Sequence, residues 1–454
     1  MNLAESHIHF IGIGGIGMSG IAEVLVNMGC SVTGTDEVIN SQVERLQALG
    51  VKIKRGHSSN NLPFPCDAVV FSSAVKKSNP EIVEARHRKI PIIQRAEMLA
   101  EIMGLKRGIA IAGTHGKTTT TSMVATMLLN AQMDPTIVIG GRLDLIKSTA
   151  ALGKGEWFVA EADESDGSFL RLTPEIAVVT NIDNDHLDHY RNFKHLEGTF
   201  AEFCKKIPFY GVAVLCVDDS YVSKLAKNFE KRQMTYGLTS KARLRGTQLK
   251  SSPSGQEVSV SLEGKPLGVL LLNVPGRHNV LNALAAVAIG LELKLSFEII
   301  AEGLAQYKGV DRRLQKKGEF NGATVIDDYG HHPTEVRATL EALRQAYPKQ
   351  RVIVAFQPHR YTRTKACWNE FLNCFKDADV VGLIDIYGAG EKKINNISSK
   401  RLAQIASKKN KNILYWGSMN SATKKIRPLL KANDIFLTLG AGDVWKLGAE
   451  LLKK

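Results

Sequence analysis

A lysine, a threonine and two glycines lie between a predicted strand and a predicted helix. Residues 113–118 read GTHGKT and follow the apolar run 108–112 directly. Backbone N–H groups at a helix N-terminus attract anions, a lysine adds charge for the outer phosphates of a nucleotide, and a threonine hydroxyl can bind Mg²⁺. The segment departs from the usual GxxxxGK[ST] pattern, because Ile111 stands where that pattern has its first glycine. It still predicts a loop that grips the phosphates of ATP.

Acidic side chains follow two later predicted strands. Strand 157–160 runs into EADESD, which starts at Glu161, and strand 177–181 runs into NIDNDHLDHY. In open α/β sheets ligands bind at the carboxyl ends of the strands, and Mg²⁺ prefers hard oxygen ligands. A solvated acidic loop is the alternative for the first segment, and the second fits a polar loop as well as a metal site. Together the segments predict a magnesium site; the second contributes Asp183, Asp185, His186 and Asp188.

A glycine fingerprint opens the chain. Gly12, Gly14 and Gly17 form GxGxxG between a strand and a helix, and Asp36 ends the next predicted strand. This is the pattern of dinucleotide-binding folds, so an NAD-dependent oxidoreductase is one alternative. The physical requirement is only a pyrophosphate at a helix N-terminus and an acid near a sugar hydroxyl. A nucleotide sugar diphosphate meets that requirement equally well.

The elements that must position these motifs alternate between strand and helix in three series. The predicted fold is therefore α/β with three domains: a Rossmann-like domain over 1–106, a central P-loop ATPase-type domain over 107–310, and a C-terminal Rossmann-like domain over 311–454. An amphipathic helical pattern covers 123–130, and a β-rich stretch covers 241–268.

Composition restricts the function classes. The 454-residue chain carries a formal charge of +14, yet its Lys and Arg residues are scattered and no run of five basic residues occurs. A nucleic-acid-binding ATPase is thus an alternative without a basic stripe to support it. The six cysteines form no CxxC pair, which argues against a zinc site or a disulfide framework. No apolar stretch approaches the length of a membrane span, so we expect a cytoplasmic protein.

The order of the motifs resembles that of the Mur ligases of peptidoglycan synthesis, over nearly the whole chain. GIGGIGMSG is followed by GTHGKTTTTS, and then by EADESDGSF and NIDNDHLDHY. Further matching segments are PGRHNVLNA, GVDRRLQ, DDYGHHPTEV, FQPHRYTRT and GAGD. Within the family, EADESDGSF and HRYTRT are most similar to the branch that joins L-alanine to UDP-N-acetylmuramate. A related branch, which recycles a murein tripeptide, has a similar arrangement of motifs.

The resemblance implies roles for individual residues, with ATP, Mg²⁺, UDP-N-acetylmuramate and L-alanine as the small molecules bound and no nucleic acid. The UDP moiety would contact Gly12, Gly14, Gly15, Gly17, Asp36 and Ser72. ATP would contact Gly113, Thr114, His115, Gly116, Lys117, Thr118, Thr119, Asn279, Arg313 and Asp328. The metal would be held by Thr118, Glu161 and His186. The alanine pocket would comprise Tyr329, His331, His359, Arg360 and Arg363.

The catalytic residues implied are Lys117, Glu161, His186 and His331, and either histidine is a candidate base by residue type. Other family members carry a carbamylated lysine shortly after the DHLDHY-like motif. Phe200 and Ala201 lie near that position here, and the lysines nearby are Lys194 and Lys205. We therefore expect no carbamyl-lysine in this chain.

Overall fold

The computed structural model describes residues 3–72, 74–143, 145–185, 189–253 and 255–453. They form two compact units. One unit comprises Met1–Gly246, Val260–Gly268 and Leu281–Gln306, and the other comprises Thr247–Ser259, Val269–Val280 and Tyr307–Lys454. Among the residues described, none of the helices combines the length and the apolar character that crossing a bilayer requires. His186, a candidate base and metal ligand, lies outside the described residues.

The first sheet has five parallel strands in the order β3-β2-β1-β4-β5. The strands are β1 (His7–Ile11), β2 (Ser31–Asp36), β3 (Lys52–Arg55), β4 (Ala68–Phe71) and β5 (Ile92–Gln94). The helices are α1 (Ile16–Asn27), α2 (Ser41–Ala48), α3 (Pro80–His87) and α4 (Arg95–Met103). The central strand β1 is buried after its first residue, as expected for a parallel strand covered on both faces.

A buried carboxylate connects helix α3 to the first two strands of this sheet. Glu81 is 0% exposed. Its Oε2 accepts a hydrogen bond from Thr35 Oγ1 at 2.8 Å and lies 2.9 Å from His9 Nε2. Its Oε1 accepts from the backbone N–H of Ser58 at 3.1 Å. Because a buried charge is tolerated only with such partners, this cluster fixes α3 against the sheet.

The second sheet has ten strands in the order β15-β14-β13-β12-β11-β10-β6-β9-β7-β8. The strands are β6 (Arg107–Ala112), β7 (Thr136–Leu143), β8 (Ser148–Ala151), β9 (Trp157–Glu161), β10 (Ile176–Val179), β11 (Val212–Cys216), β12 (Gln233–Gly237), β13 (Leu244–Ser252), β14 (Gly255–Leu262) and β15 (Lys265–Leu272). The helices are α5 (Lys117–Asn130), α6 (Phe193–Lys205), α7 (Ser220–Lys227), α8 (Arg277–Glu292) and α9 (Phe297–Ala305). Strand β6 lies between β9 and β10 and is parallel to both, so the loops after these three strands emerge at one edge.

The third sheet has six strands in the order β16-β17-β21-β18-β19-β20, all parallel except β16. The strands are β16 (Gln315–Phe320), β17 (Ala323–Asp328), β18 (Val352–Phe356), β19 (Val380–Ile384), β20 (Ile413–Gly417) and β21 (Ile435–Leu439). The helices are α10 (Pro333–Ala346), α11 (Tyr361–Ala366), α12 (Trp368–Phe371), α13 (Ser399–Ala406), α14 (Met419–Ile426) and α15 (Trp445–Leu452). The predicted three-domain α/β architecture is confirmed.

Candidate active site

The GTHGKT loop leaves the carboxyl end of β6 and enters helix α5 at Lys117. Two of its glycines have backbone conformations that other residues rarely adopt: φ is 135° at Gly113 and 84° at Gly116. A Cβ at Gly113 would lie 2.0 Å from Thr180 Oγ1, and one at Gly116 would lie 2.6 Å from Asn282 Oδ1. Neither position can therefore hold a larger residue without displacing its neighbour.

The segment after β10 holds this loop in place. Thr180 Oγ1 and Asn181 Nδ2 both donate to the carbonyl of His115, at 2.7 and 2.9 Å. The Asn181 side chain also accepts from the His115 N–H at 2.8 Å. The backbone N–H of Asp183 donates to Thr114 Oγ1 at 2.9 Å, and the carboxylate of Asp183 lies 3.0 Å from the His115 ring. These protein contacts alone fix the conformation of the loop.

Lys117 forms an ion pair with Glu164, from the EADESD segment. The Lys117 ammonium lies 2.6 and 2.9 Å from the two carboxylate oxygens. It also donates to the carbonyl of Gly113 at 2.6 Å. Burial raises the pKa of the Glu164 carboxyl, although the attraction of Lys117 acts in the opposite direction. The lysine that the sequence assigns to the phosphates is therefore held by a carboxylate in this structure.

Thr118 and Glu161 lie together at the ends of neighbouring elements. The Thr118 hydroxyl favours the ionised form of Glu161 and so lowers the pKa of that carboxyl, against the effect of burial. Glu161 Oε1 also accepts the backbone N–H of Gly140 at 2.6 Å. Burial raises the pKa of the Glu161 carboxyl. A hydroxyl and a carboxylate side by side are hard oxygen donors of the kind that fit Mg²⁺.

The glycine turn of the first domain precedes helix α1. The backbone N–H of Gly14 donates to Asp36 Oδ2 at 2.8 Å, so the acid supports the turn directly. Gly15 is the N-cap of α1 and has no side chain to satisfy the first helical N–H groups, which suits an anion at that end. Ser72, at the end of β4, accepts from the N–H of Ala74 at 3.3 Å. It adjoins the turn, because a Cβ at Gly12 would lie 3.7 Å from Ser72 Cβ.

Arg95 connects this turn to the acidic segment after β9. A Cβ at Gly17 would lie 2.9 Å from Arg95 Nη1, so the glycine lets the guanidinium approach the turn. Arg95 Nη2 donates to Asp163 Oδ2 at 3.2 Å. Arg95 therefore lies beside the turn predicted to bind the sugar nucleotide and forms an ion pair with the segment predicted to bind the metal.

The predicted alanine pocket forms a cluster of rings after β17 and β18. The ring of His331 lies 5.5 Å from that of Tyr329 and 5.7 Å from that of His359. Arg363 Nη1 lies 3.4 Å from His359 Nδ1. The exposed residue Arg360, with φ at 68°, donates its N–H to the carbonyl of Tyr387 at 2.8 Å. The structure thus brings these five residues to one sheet edge.

The three remaining predicted nucleotide contacts belong to the second compact unit. Asn279 Nδ2 donates to the carbonyl of Pro275 at 2.7 Å. Arg313 lies 3.5 Å from Glu335 and over the ring of Tyr329 at 5.3 Å. The carboxylate of Asp328 is 4% exposed and accepts from the N–H groups of Leu314 and Gly330, at 2.8 Å each.

Four residues contact the predicted site residues although the sequence analysis assigns none of them a role: Glu164, Asn181, Arg95 and Tyr387. Glu164 and Asn181 belong to the EADESD and NIDNDHLDHY segments. Their positions at the ends of predicted strands could therefore have identified them as site residues. The ring of Tyr387 stacks on His359 at 5.6 Å. Tyr387 and Arg95 belong to none of the sequence motifs, and only the fold brings them to these sites.

Family models match three successive parts of the chain. Residues 7–107 match the model described as Mur ligase family, catalytic domain, and residues 111–290 match the Mur ligase middle domain. Residues 312–442 match the model described as Mur ligase, glutamate ligase domain. The three matches together cover most of the chain.

Curated relatives and solved structures agree with these models. A protein named UDP-N-acetylmuramate–L-alanine ligase from Bdellovibrio bacteriovorus is 53% identical and covers 100% of both chains. One of the same name from Trichlorobacter lovleyi is 53% identical over 98% of each chain. The solved UDP-N-acetylmuramate–alanine ligase of Thermotoga maritima is 30% identical, with a TM-score of 0.85 over 99% of this chain and 98% of its own. With matches of this extent, the chain belongs to the Mur ligase family.

Proposed function

We propose that this protein joins L-alanine to the carboxylate of UDP-N-acetylmuramate in peptidoglycan synthesis, converting ATP to ADP and phosphate. The observation that carries the proposal is the Gly-Lys-Thr loop between two acid-bearing strand ends. It occurs in a chain that matches ligases of this name over its full length. We place the reaction in the cytoplasm, and we assign 1–106 to the UDP-sugar domain, 107–310 to the ATP domain and 311–454 to the amino-acid domain.

The chemistry follows from the need to activate a carboxylate. A carboxylate oxygen of the muramyl group attacks the γ-phosphorus of ATP, the bond to the β-phosphate oxygen breaks, and ADP leaves. The amine of alanine then attacks the acyl carbon, and phosphate leaves from the tetrahedral intermediate. The amine loses a proton to a base, for which His331 and His186 are the candidates by residue type.

Lys117 and the loop N–H groups stabilise the charge that develops on the transferring phosphoryl group. Thr118 and Glu161 would hold Mg²⁺, and His186 is the third proposed ligand. When bound, Mg²⁺ supplies positive charge beside the phosphates. The influence of the Thr118 hydroxyl on the Glu161 carboxyl supports this assignment, since it requires the two side chains to lie near each other.

The binding sites for the two carbon substrates are assigned on the same basis. The glycine turn would hold the diphosphate of the sugar nucleotide at the N-terminus of α1. In the C-terminal domain, Arg360 or Arg363 would pair with the alanine carboxylate through a bidentate contact. Tyr329, His331 and His359 would complete that pocket. Their ring contacts support a preformed site.

Phosphate release from ATP tests this proposal. With UDP-N-acetylmuramate present, we expect release to depend on the amino acid supplied. L-Alanine should exceed glycine in kcat/KM by about tenfold or more, because a methyl group in a fitted pocket contributes about that factor. No release with L-alanine would contradict the proposal, and faster release with a murein tripeptide would assign the chain to the recycling branch. Omitting the sugar nucleotide provides the background rate.

A further inference from the structure

The ammonium group of Lys117 already has acceptors for all of its donors. Its Nζ lies 2.6 and 2.9 Å from the Glu164 carboxylate oxygens, 2.6 Å from the carbonyl of Gly113 and 3.2 Å from that of Thr114. An ammonium has three N–H donors, so this set saturates it. A nucleotide phosphate can reach Lys117 only if one of these acceptors gives way.

The Glu164 carboxylate is deeply buried where it meets the lysine. Its side chain is 1% exposed, against 16% for Lys117. The Tyr190 hydroxyl donates a short hydrogen bond to the backbone carbonyl of Glu164, which fixes the main chain behind the carboxylate. The ion pair is thus buried and held in place by the surrounding protein.

The chemistry of the acceptors decides which one gives way. The carbonyls of Gly113 and Thr114 are neutral and belong to the loop that cradles the phosphates, so both can remain. Glu164 is an anion, and a phosphate on the same ammonium would repel it at a distance of a few ångströms. Phosphate and Glu164 therefore compete for Lys117.

We propose that Glu164 is an internal anion that competes with nucleotide phosphates for Lys117, and that ATP binds by taking the lysine from it. The inference rests on the proposed ATP-binding role of the loop. Glu164 is then a residue that sets nucleotide affinity. It orients and neutralises the lysine, and it weakens nucleotide binding in proportion to how firmly it holds Lys117.

The direction of the effect separates this role from a purely structural one. If Glu164 only supported the loop, removing its charge would loosen the loop and weaken nucleotide binding. If Glu164 competes with phosphate, removing its charge frees Lys117 and strengthens binding. Glutamine has nearly the shape of glutamate, so E164Q changes the charge with little change in packing.

The test is the dissociation constant of ADP and of ATP, measured by calorimetry on the full-length protein. E164Q should bind each nucleotide about five- to tenfold more tightly than the unmodified protein, with a parallel fall in KM for ATP. The matched control is D166N, in the same segment: Asp166 accepts from the N–H of Ser168 at 3.0 Å. D166N should change the affinity by less than about twofold.

Unchanged or weaker nucleotide binding by folded E164Q would overturn the inference. If E164Q does not fold, the same measurement on E164D tests the inference. Aspartate keeps the negative charge, but its side chain is one methylene shorter and so places the charge farther from Lys117. E164D should bind nucleotide at least about twofold more tightly than the unmodified protein, and equal or weaker binding would overturn the inference. Failure of the unmodified protein to bind ATP would instead contradict the proposed function.

Discussion

Replacing Lys117 with methionine should lower kcat for the ligation by about a thousandfold, because removing one preorganised charge at a transferring group typically costs about a hundred- to a thousandfold. Methionine keeps the length of the side chain and removes the ammonium. The variant also leaves the buried Glu164 without its cation, which should cost about 3–5 kcal/mol of folding stability. Activity and thermal midpoint should be measured on the same preparation.

The double variant K117M/E164Q separates the two effects of losing Lys117. It should recover most of the lost thermal midpoint, since the unpaired buried charge is gone, but kcat should stay about a thousandfold low. Lys154, an exposed lysine, supplies the matched control K154M, which should retain full activity. A K117M variant that is folded and within about tenfold of the original kcat would show that the loop does not stabilise phosphoryl transfer.

Replacing Glu161 with glutamine should lower kcat by about a hundredfold or more and raise the Mg²⁺ concentration needed for half-maximal activity by at least about tenfold. The amide keeps one oxygen but loses the negative charge that makes a carboxylate a good magnesium ligand. The measurement is a Mg²⁺ titration of the ligation rate at saturating ATP. Partial recovery at high Mg²⁺ is part of the expected result.

Glu156 offers a matched control for this variant. It directly precedes β9, whereas Glu161 ends that strand, and its side chain is 61% exposed. E156Q should leave both kcat and the Mg²⁺ requirement unchanged. An E161Q variant with the original Mg²⁺ requirement would remove Glu161 from the proposed metal site.

The sequence indicated the architecture well because strands at the sheet centres, such as β6, β10 and β18, are apolar runs. The element ends were less well predicted. The first apolar run predicts a strand over 7–13. Strand β1 ends two residues earlier, at Ile11, because the turn starts at Gly12, where φ is 78°. Helix α5 starts at Lys117, where the GTHGKT motif predicts a helix N-terminus, although the amphipathic pattern begins only at 123. Its first turns carry a buried run of threonines, and buried polar residues hide a helix from hydrophobic periodicity.

Site residues that belong to one sequence motif could be predicted. Contacts between segments that are distant in the sequence were harder to predict. Lys117 could be named from its loop alone, but its partner could not, because EADESD offers four carboxylates of similar appearance. Which of them turns toward Lys117 depends on the backbone path after β9. The ion pair between Arg95 and Asp163 joins residues 68 positions apart, and no local pattern encodes such a contact. The roles of individual site residues stay predictions until the variants are measured.

Oxygen transfer from the sugar acid to phosphate tests the central claim most directly. UDP-N-acetylmuramate labelled with ¹⁸O at both carboxylate oxygens is incubated with ATP and L-alanine, and the released phosphate is analysed by mass spectrometry. Because the acyl phosphate is formed by attack of a carboxylate oxygen on the γ-phosphorus, each phosphate should carry a single ¹⁸O and the new amide should retain the other. Phosphate released without ¹⁸O, while the amide product accumulates, would contradict activation of the carboxylate by the GTHGKT loop.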